Sequence, residues 1–195
     1  MKVLSERGSR DKMIEAAILL MRGSGLTGAG INGIVRESGA PKGSVYHFFP
    51  HGKSQIATEA LNVYSARVMS FIDQALAGKR GPGGKVKALF RAFARRVEEG
   101  GFGQSCAAGA VSLDLDADLQ ELQAVLKATF IAWIALIAGH FDFGDKSRAK
   151  SFAGLVLTAI EGAYVRCRAE RSARPFIEAG EWLAALADQQ IRGSR

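Results

Sequence analysis

Apolar residues recur every three or four positions along almost the whole chain, which is the spacing of amphipathic helices and not of strands. Three short apolar stripes come first, at residues 14–21, 31–35 and 45–49. A longer stripe begins at Ile56 and is predicted to run as one helix to about Gly78. The first part of the chain is therefore predicted to form three short helices followed by a long one.

Glycine and proline separate the remaining helical stripes. Residues 78–85 contain four glycines and a proline and predict a loop, and residues 103–116 are predicted to hold at most a short helix. Asp145 or Ser147 is predicted to cap the helix that follows the long stripe ending near residue 139, and Pro175 to lie in the first turn of the last helix. The chain is thus predicted to be all-α, with about nine helices.

Residues 31–49 have the pattern of a helix-turn-helix. Gly39 can adopt the left-handed conformation that ends the first helix, and Pro41 suits the start of the second, predicted over residues 42–49. This second helix begins Lys-Gly-Ser, with small and polar residues where a packing helix would carry apolar ones. Such a start is typical of a recognition helix, whose N-terminal end enters the major groove of DNA.

The charge distribution points to the same region. Residues 1–53 hold eight basic and four acidic side chains, a net +4 out of +7 for the whole chain. A basic region favours an anionic partner without identifying it.

The run AGINGIVRESGAPKGSVYHFF, followed after two residues by Gly-Lys, resembles the N-terminal domain of TetR-family transcriptional regulators, in particular the LmrA/YxaF-type subgroup. The Cys-Ala-Ala-Gly-Ala-Val run at residue 106 and the stretch 166–174 are also similar to that subgroup. The residues that carry the N-terminal resemblance are Ile34, Val35, Ser38, Gly39, Ala40, Gly43, Ser44, Val45, Tyr46, Phe48 and Phe49.

The resemblance implies a DNA-binding domain over residues 1–53. Gly43 would permit close approach to DNA, and Lys42 and Lys53 would contact phosphates. The family usually has a hydroxyl residue before the second helix, whereas this chain has Gly28-Ala29-Gly30. Backbone N–H groups at Gly30 would then make the phosphate contact in place of the hydroxyl. The implied DNA-contacting residues are Lys42, Gly43, Ser44, Tyr46, His47 and Lys53.

The resemblance also implies a C-terminal domain over residues 54–195 that dimerises and senses a small molecule. Apolar side chains on its helices are candidates for a ligand pocket, although each could equally be plain core. The pocket candidates are Phe90, Phe93, Cys106, Phe130, Trp133 and Tyr164. The last two long helices are expected to form the dimer interface, with Phe152, Val156, Ile160 and Trp182 as candidates.

No catalytic, cofactor or metal site is predicted. The three histidines lack metal-ligand spacing, and Gly52-Lys53-Ser54 lacks the earlier glycine of a phosphate-binding loop, since His47 stands there. Asp114, Asp116 and Asp118 lack the calcium-loop pattern and are interpreted as an acidic turn that starts the next helix. A redox role for Cys106 is an alternative to a place in the pocket.

The chain is expected to be cytoplasmic and without a membrane partner. Its first twelve residues have no apolar core of a signal peptide, and the longest uncharged stretch, residues 128–141, is shorter than a bilayer span and is predicted to be a buried helix.

These observations predict a repressor that binds a palindromic operator as a homodimer and is released by a small lipophilic effector. Two alternatives stay open. One is a small helical enzyme, for which no nucleophile–base pair is visible. The other is a DNA-binding architectural protein or activator without a ligand, which a solidly packed C-terminal bundle would favour.

Overall fold

The computed structural model describes residues 8–116 and 119–192, and within them the chain forms nine helices and no strand. The all-α prediction is confirmed. In chain order the helices are α1 (Ser9–Gly28), α2 (Ile31–Ser38), α3 (Ser44–Phe48), α4 (Gly52–Leu76), α5 (Pro82–Glu99), α6 (Ala107–Ser112), α7 (Gln120–Gly139), α8 (Lys146–Glu170) and α9 (Arg174–Arg192).

The start of α5 differs from the prediction, because the expected loop over residues 78–85 already becomes helical at Pro82. Proline is well suited to a first helical position, and Gly81 supplies the positive φ of 66° that the chain needs before it. The carboxylate of Asp188 in α9 accepts a hydrogen bond from the Gly83 N–H at 2.8 Å. A residue far away in sequence therefore accepts a hydrogen bond from an otherwise unpaired N–H in the first turn of α5.

The starts of α8 and α9 agree with the sequence. The Asp145 side chain accepts a hydrogen bond from the Ser147 N–H at 2.8 Å, so Asp145, and not Ser147, is the cap of α8. Pro175 lies in the first turn of α9, as predicted.

The chain divides into two compact units. The first unit contains Met1–Ser65 and Cys106–Thr129, and the second contains Ala66–Ser105 and Phe130–Arg195. The whole of the predicted DNA-binding region, residues 1–53, belongs to the first unit. The helices α4 and α7 each contribute residues to both units.

In the first unit, α1 provides much of the core around which the short helices pack. Met13 and Met21 of α1 are fully buried, as are Ile34 of α2 and Val45 of α3. The Arg10 guanidinium lies 5.4 Å from the centroid of the buried Phe49 ring and forms an ion pair with Glu59 of α4. The start of α1 is thereby joined to the residue after α3 and to α4.

In the second unit, α5 and α9 pack with their backbones close together. A Cβ atom on Gly180 would lie 2.7 Å from Cβ of Phe90, so only glycine fits at this crossing. The close approach brings Phe176 of α9 into a stack with Phe93 of α5, with ring centroids 5.8 Å apart. Phe71 and Tyr164 meet the same Phe93 ring edge-to-face.

Helix α7 is less buried than expected. Over Gln120–Gly139 its mean hydropathy of 1.8 would allow it to cross a membrane by length and composition alone, a test that core helices of soluble proteins also pass. The prediction of a buried helix is only partly right, because 28% of its apolar window is buried. The buried positions form one stripe: Leu122, Leu126, Thr129, Trp133 and Ile137.

Three of the four candidates for the dimer interface are wrong. Phe152, Val156 and Ile160 are buried in the second unit and are not available to a partner. A strong apolar stripe in a sequence marks the face that packs in the chain's own core, and these three residues lie on that face of α8. Trp182 of α9, in contrast, is 80% exposed.

We predict that Gly180→Ala lowers the free energy of unfolding by about 1–3 kcal/mol, because the added methyl group must push α5 and α9 apart. Urea unfolding at fixed protein concentration measures the change. Gly154→Ala is the matched control: this glycine of α8 has no atom within 4 Å of its Cβ position, so alanine should be neutral or stabilise by up to about 1 kcal/mol. Equal stability of the two variants would contradict the close crossing.

Candidate nucleic-acid interface

Helix α3 exposes the residues that the sequence assigned to DNA. Val45 and the following Phe49 are fully buried, which fixes the opposite face of the helix outward. Tyr46 is 62% exposed and His47 is exposed, with its ring edge-to-face against Phe48 at 4.9 Å. Lys42 and Gly43 are exposed and Ser44 is half-buried. The structure therefore gathers five of the six predicted residues on one short segment.

The boundary of α3 differs from the prediction, because Lys42 and Gly43 form a turn before the helix. Ser44 N–H donates to the Pro41 carbonyl at 2.9 Å and Val45 N–H to the Lys42 carbonyl at 3.2 Å. These hydrogen bonds span three residues and not four, so the entry to α3 is wound more tightly than an α-helix. Gly39 has a φ of 64° and ends α2 in the left-handed conformation, as predicted.

Neither the backbone conformation nor the packing of the chain requires a glycine at position 43. Its φ is −63°, a value that any residue adopts, and a Cβ atom there would have no neighbour within 4 Å. Gly39, by contrast, needs its positive φ. A glycine that the fold does not require, at the exposed entry of α3, fits a surface that another molecule approaches closely.

The start of α4 lies beside the same face. Gly52 N–H donates to the Phe49 carbonyl at 2.8 Å, and its φ of 63° makes the turn between α3 and α4 possible. The Tyr46 ring lies 3.6 Å from the position of a Cβ atom on Gly52. Lys53, the sixth predicted residue, follows directly in the first turn of α4. Its side chain is half-buried and forms no ion pair among the described residues.

The connection from α1 to α2 has no local side-chain cap, and a carboxylate from after α6 bonds the helix before it. Ser24 and Gly25 leave helical geometry inside α1, and Gly30 caps α2 without a side-chain hydrogen bond. The Thr27 N–H, in the last turn of α1, donates to the Asp114 carboxylate at 2.9 Å. A Cβ atom on Gly25 would lie 2.3 Å from the same carboxylate, so glycine also makes room for it.

Asp114 therefore does not start the next helix, since it lies six residues before α7, and the interpretation as a helix-starting turn is wrong for it. Asp118, which belonged to the same interpretation, lies outside the described residues. The sequence signal was the missing hydroxyl residue in Gly28-Ala29-Gly30, which showed that this connection lacks a local cap. The sequence alone could not show that the distant Asp114 bonds the last turn of α1.

Most predicted ligand-binding residues are buried. In the second unit, Phe90, Phe93, Trp133 and Tyr164 are at most 4% exposed, and Phe130 is half-buried with its ring edge-to-face against Trp133 at 5.7 Å. The remaining candidate, Cys106, is buried at the N-cap of α6 in the first unit. Among these six residues, therefore, Phe130 alone has an appreciable exposed surface.

Two cavities of the second unit lie elsewhere on its surface. One of about 640 Å³ is lined by residues of α5, the end of α4 and α9, and another of about 540 Å³ lies between the end of α7 and the start of α8. None of the six predicted ligand residues lines either of them. In the part of the chain that the structure describes, no three His, Cys, Asp or Glu side chains converge as metal ligands would.

A known protein family matches the second half of the chain. The family model for the C-terminal domain of LmrA/YxaF-like transcriptional regulators matches residues 82–182. The HTH-type transcriptional regulator Rv0196 of Mycobacterium tuberculosis is 30% identical over 177 residues, which cover 87% of this chain and 89% of that protein. YxaF of Bacillus subtilis, also an HTH-type transcriptional regulator, is 27% identical, with 94% of this chain and 97% of YxaF covered.

Solved structures show the same fold. The regulatory protein TetR from Rhodobacter sphaeroides superposes with a TM-score of 0.81 at 20% identity, covering 91% of this chain and 97% of that one. A TetR transcriptional regulator from Chloroflexus aurantiacus gives a TM-score of 0.77 at 25% identity, covering 97% and 98% of the two chains. The nine-helix architecture is thus one in which transcriptional regulators are known.

We predict that Asp114→Ala speeds hydrogen exchange of the Thr27 amide about tenfold or more, because its hydrogen bond to a charged acceptor is lost. Amide exchange followed by NMR measures this. Asp116→Ala removes an exposed carboxylate two residues away and should leave the Thr27 amide unchanged. Unchanged exchange in the Asp114 variant would show that this carboxylate does not hold the connection between α1 and α2.

Proposed function

The chain belongs to the TetR family of transcriptional regulators, with an LmrA/YxaF-like C-terminal domain, and we propose that it is a repressor that binds a palindromic operator as a homodimer and leaves it when a small lipophilic molecule binds. It acts in the cytoplasm and performs no catalysis. The observation that carries the DNA-binding part is the exposed face of α3, which begins with a glycine that the fold itself does not need.

The residues around α3 divide into those that read bases and those that hold the DNA backbone. Gly43 and Ser44 enter the major groove, where Gly43 lets the backbone approach a base edge and Ser44 contacts a base or phosphate. Lys42, Tyr46 and Lys53 contact phosphates on either side, and His47 reaches a base or the backbone. Free N–H groups at the start of α2 offer a further phosphate contact.

The dimer interface is proposed on the exposed stripe of α8 together with α9. A helix-turn-helix monomer reads only half of a palindromic site, so a two-fold dimer is required. One set of exposed positions on α8 repeats at alternating intervals of four and three residues, which is the spacing of helix pairing in bundles. They are Ser151, Leu155, Thr158, Gly162, Val165 and Ala169, and α9 adds Trp182, Ala185 and Gln189.

On α8 this stripe replaces the three buried candidates by exposed residues one or two positions away, and Trp182 of α9 is kept. Most of its members on α8 are small, as suits helices that approach closely, whereas Leu155 and Val165 are apolar and 45% and 64% exposed. Large apolar side chains left in water on two adjacent helices favour a partner that covers them.

The effector is proposed to enter the second unit where Phe130 meets Trp133 and to bind next to the aromatic side chains of α5 and α8. Phe130 is the more accessible ring of the Phe130–Trp133 pair, and an aromatic surface of this kind suits a flat lipophilic compound such as an antibiotic or a plant phenolic. Cys106, at the start of α6 in the first unit, remains a proposed ligand contact. Since α4 is one continuous helix with residues in both units, it is the proposed route to the DNA-binding face.

A second candidate is a TetR-family regulator that takes no ligand in its core. The tight packing of Phe71, Phe90, Phe93, Tyr164 and Phe176 favours it, because those rings already occupy the space that a ligand would need. An effector would have to displace these side chains in order to bind among them.

Gly43→Ala tests the DNA-binding surface. The variant should fold with unchanged stability, yet bind about tenfold or more weakly to an operator selected from random duplexes by the unaltered protein, since the methyl group blocks close approach. Fluorescence anisotropy measures the affinity, and Gly154→Ala, another glycine with open space around it, is the control. Full affinity of the Gly43 variant would place the N-terminal end of α3 away from the DNA.

A double variant, Leu155→Glu with Val165→Glu, tests the dimer. Charges on the stripe should give a monomer at micromolar concentration and abolish operator binding, because desolvating the carboxylates opposes association. Light scattering gives the mass. Leu113→Glu alters an 86% exposed leucine of the first unit and should remain dimeric. The proposed interface is wrong if the double variant is also a dimer.

Tryptophan fluorescence tests the effector site. In Trp182→Phe the buried Trp133 is the only tryptophan, so a compound bound at Phe130 should change its emission. Plant phenolics and lipophilic antibiotics that raise the melting temperature should weaken operator binding about 5–150-fold, and Phe130→Ala should reduce that response. Compounds that release DNA without affecting Trp133 would move the site elsewhere, and a panel without any binder would favour the regulator without a ligand.

A further inference from the structure

A groove on the second unit has a composition that the proposed lipophilic effector does not explain. It has a volume of about 640 Å³, which is within the range of small-molecule sites. Its floor consists of alanines, among them Ala75, Ala88 and Ala92, and of the 39% exposed Ile177. Alanine at half-buried positions of α4 and α5 leaves open the space between the helices that longer side chains would fill.

The rim of the groove is cationic. Lys79, Arg91 and Arg95 surround it, against the single carboxylate of Glu98 and the neutral Gln74. Arg91 is partly neutralised, because its guanidinium lies 3.5 Å from the Glu181 carboxylate, which also pairs with Lys87. Lys79 and Arg95 form no ion pair with any residue that the structure describes. Two exposed cations without acidic partners thus face an apolar floor.

We propose that this groove binds a small organic anion, a carboxylate with an alkyl or aromatic body, at a site separate from the aromatic region around Phe130. The carboxylate lies between Lys79 and Arg95, since the planar guanidinium can donate two parallel hydrogen bonds to its two oxygens. The apolar body lies along Ala88, Ala92 and Ile177. The inference goes beyond the proposed function, because it requires neither DNA binding nor release.

Octanoate is the probe, and the alanine methyl groups of the groove are the reporters. In the full-length protein, octanoate should shift the NMR signals of the Ala88 and Ala92 methyl groups saturably, whereas 1-octanol at equal concentration should not. Arg95→Glu and Lys79→Glu should each weaken octanoate binding about tenfold or more, since each loses a charge-assisted contact. Lys127→Glu, a charge reversal at an exposed lysine of α7 outside the groove, should not.

Several results would overturn the proposal. They are the absence of saturable shifts at these methyl groups, equal binding of 1-octanol, and unchanged affinity in both groove variants. If a glutamate variant does not fold, the double variant Arg95→Gln with Lys79→Gln gives the same test without introducing negative charge. Displacement of octanoate by a DNA duplex that lacks the operator, with loss of that displacement in the groove variants, would identify a nucleic-acid surface instead. Operator affinity is measured for every variant as well. If it equals that of the unaltered protein, the loss of octanoate binding is not caused by a loss of DNA binding.

Discussion

A helix of five residues cannot maintain its own shape in water, because one turn of hydrogen bonds does not offset the backbone entropy that the turn loses. The exposed surface of α3 therefore depends on the burial of Val45 and Phe49. Arg10 supports this burial, since its guanidinium lies over the Phe49 ring and its ion pair reaches Glu59. The buried face of α3 holds the helix in place. The residues on its exposed face are therefore not constrained by the fold and can serve binding.

The second unit is organised by a different constraint, the close crossing of α5 and α9 at Gly180. The missing side chain brings the two backbones together and allows Phe93 and Phe176 to stack. The same packing removes most of the empty space from the middle of this unit. Space for small molecules is therefore found at its surface, where alanines replace larger side chains, or has to be opened by a ligand that displaces aromatic rings.

The features that the sequence predicted are those governed by local rules. The helical period, the left-handed Gly39 and the Asp145 cap each depend on residues a few positions apart, and the structure confirms them. The first turn of α5 was missed because its hydrogen-bond acceptor is Asp188, 105 residues away, which bonds the Gly83 N–H. Asp114 was misinterpreted for the same reason, since its partner Thr27 is 87 residues away.

The interface candidates on α8 failed for a different physical reason. Both a core face and a dimer face repeat with helical spacing, and hydrophobicity ranks the core face first. Val156 therefore looked like a better interface residue than Thr158 or Gly162, although close helix pairing suits small side chains. Only the burial of each residue in its own chain separates the two faces, and burial requires the fold.

The chain itself connects the DNA-facing helices with the second unit. It passes between the units after Ser65, Ser105 and Thr129, and the first and last of these positions lie inside the continuous helices α4 and α7. α4 starts at Gly52 beside Tyr46, and Asp114, which precedes α7 in the chain, bonds the last turn of α1 just before α2. Both ends of the helix-turn-helix are therefore tied to helices whose other ends belong to the second unit. A coupling free energy of about 1–3 kcal/mol carried by continuous helices of this kind corresponds to a change of about 5–150-fold in affinity.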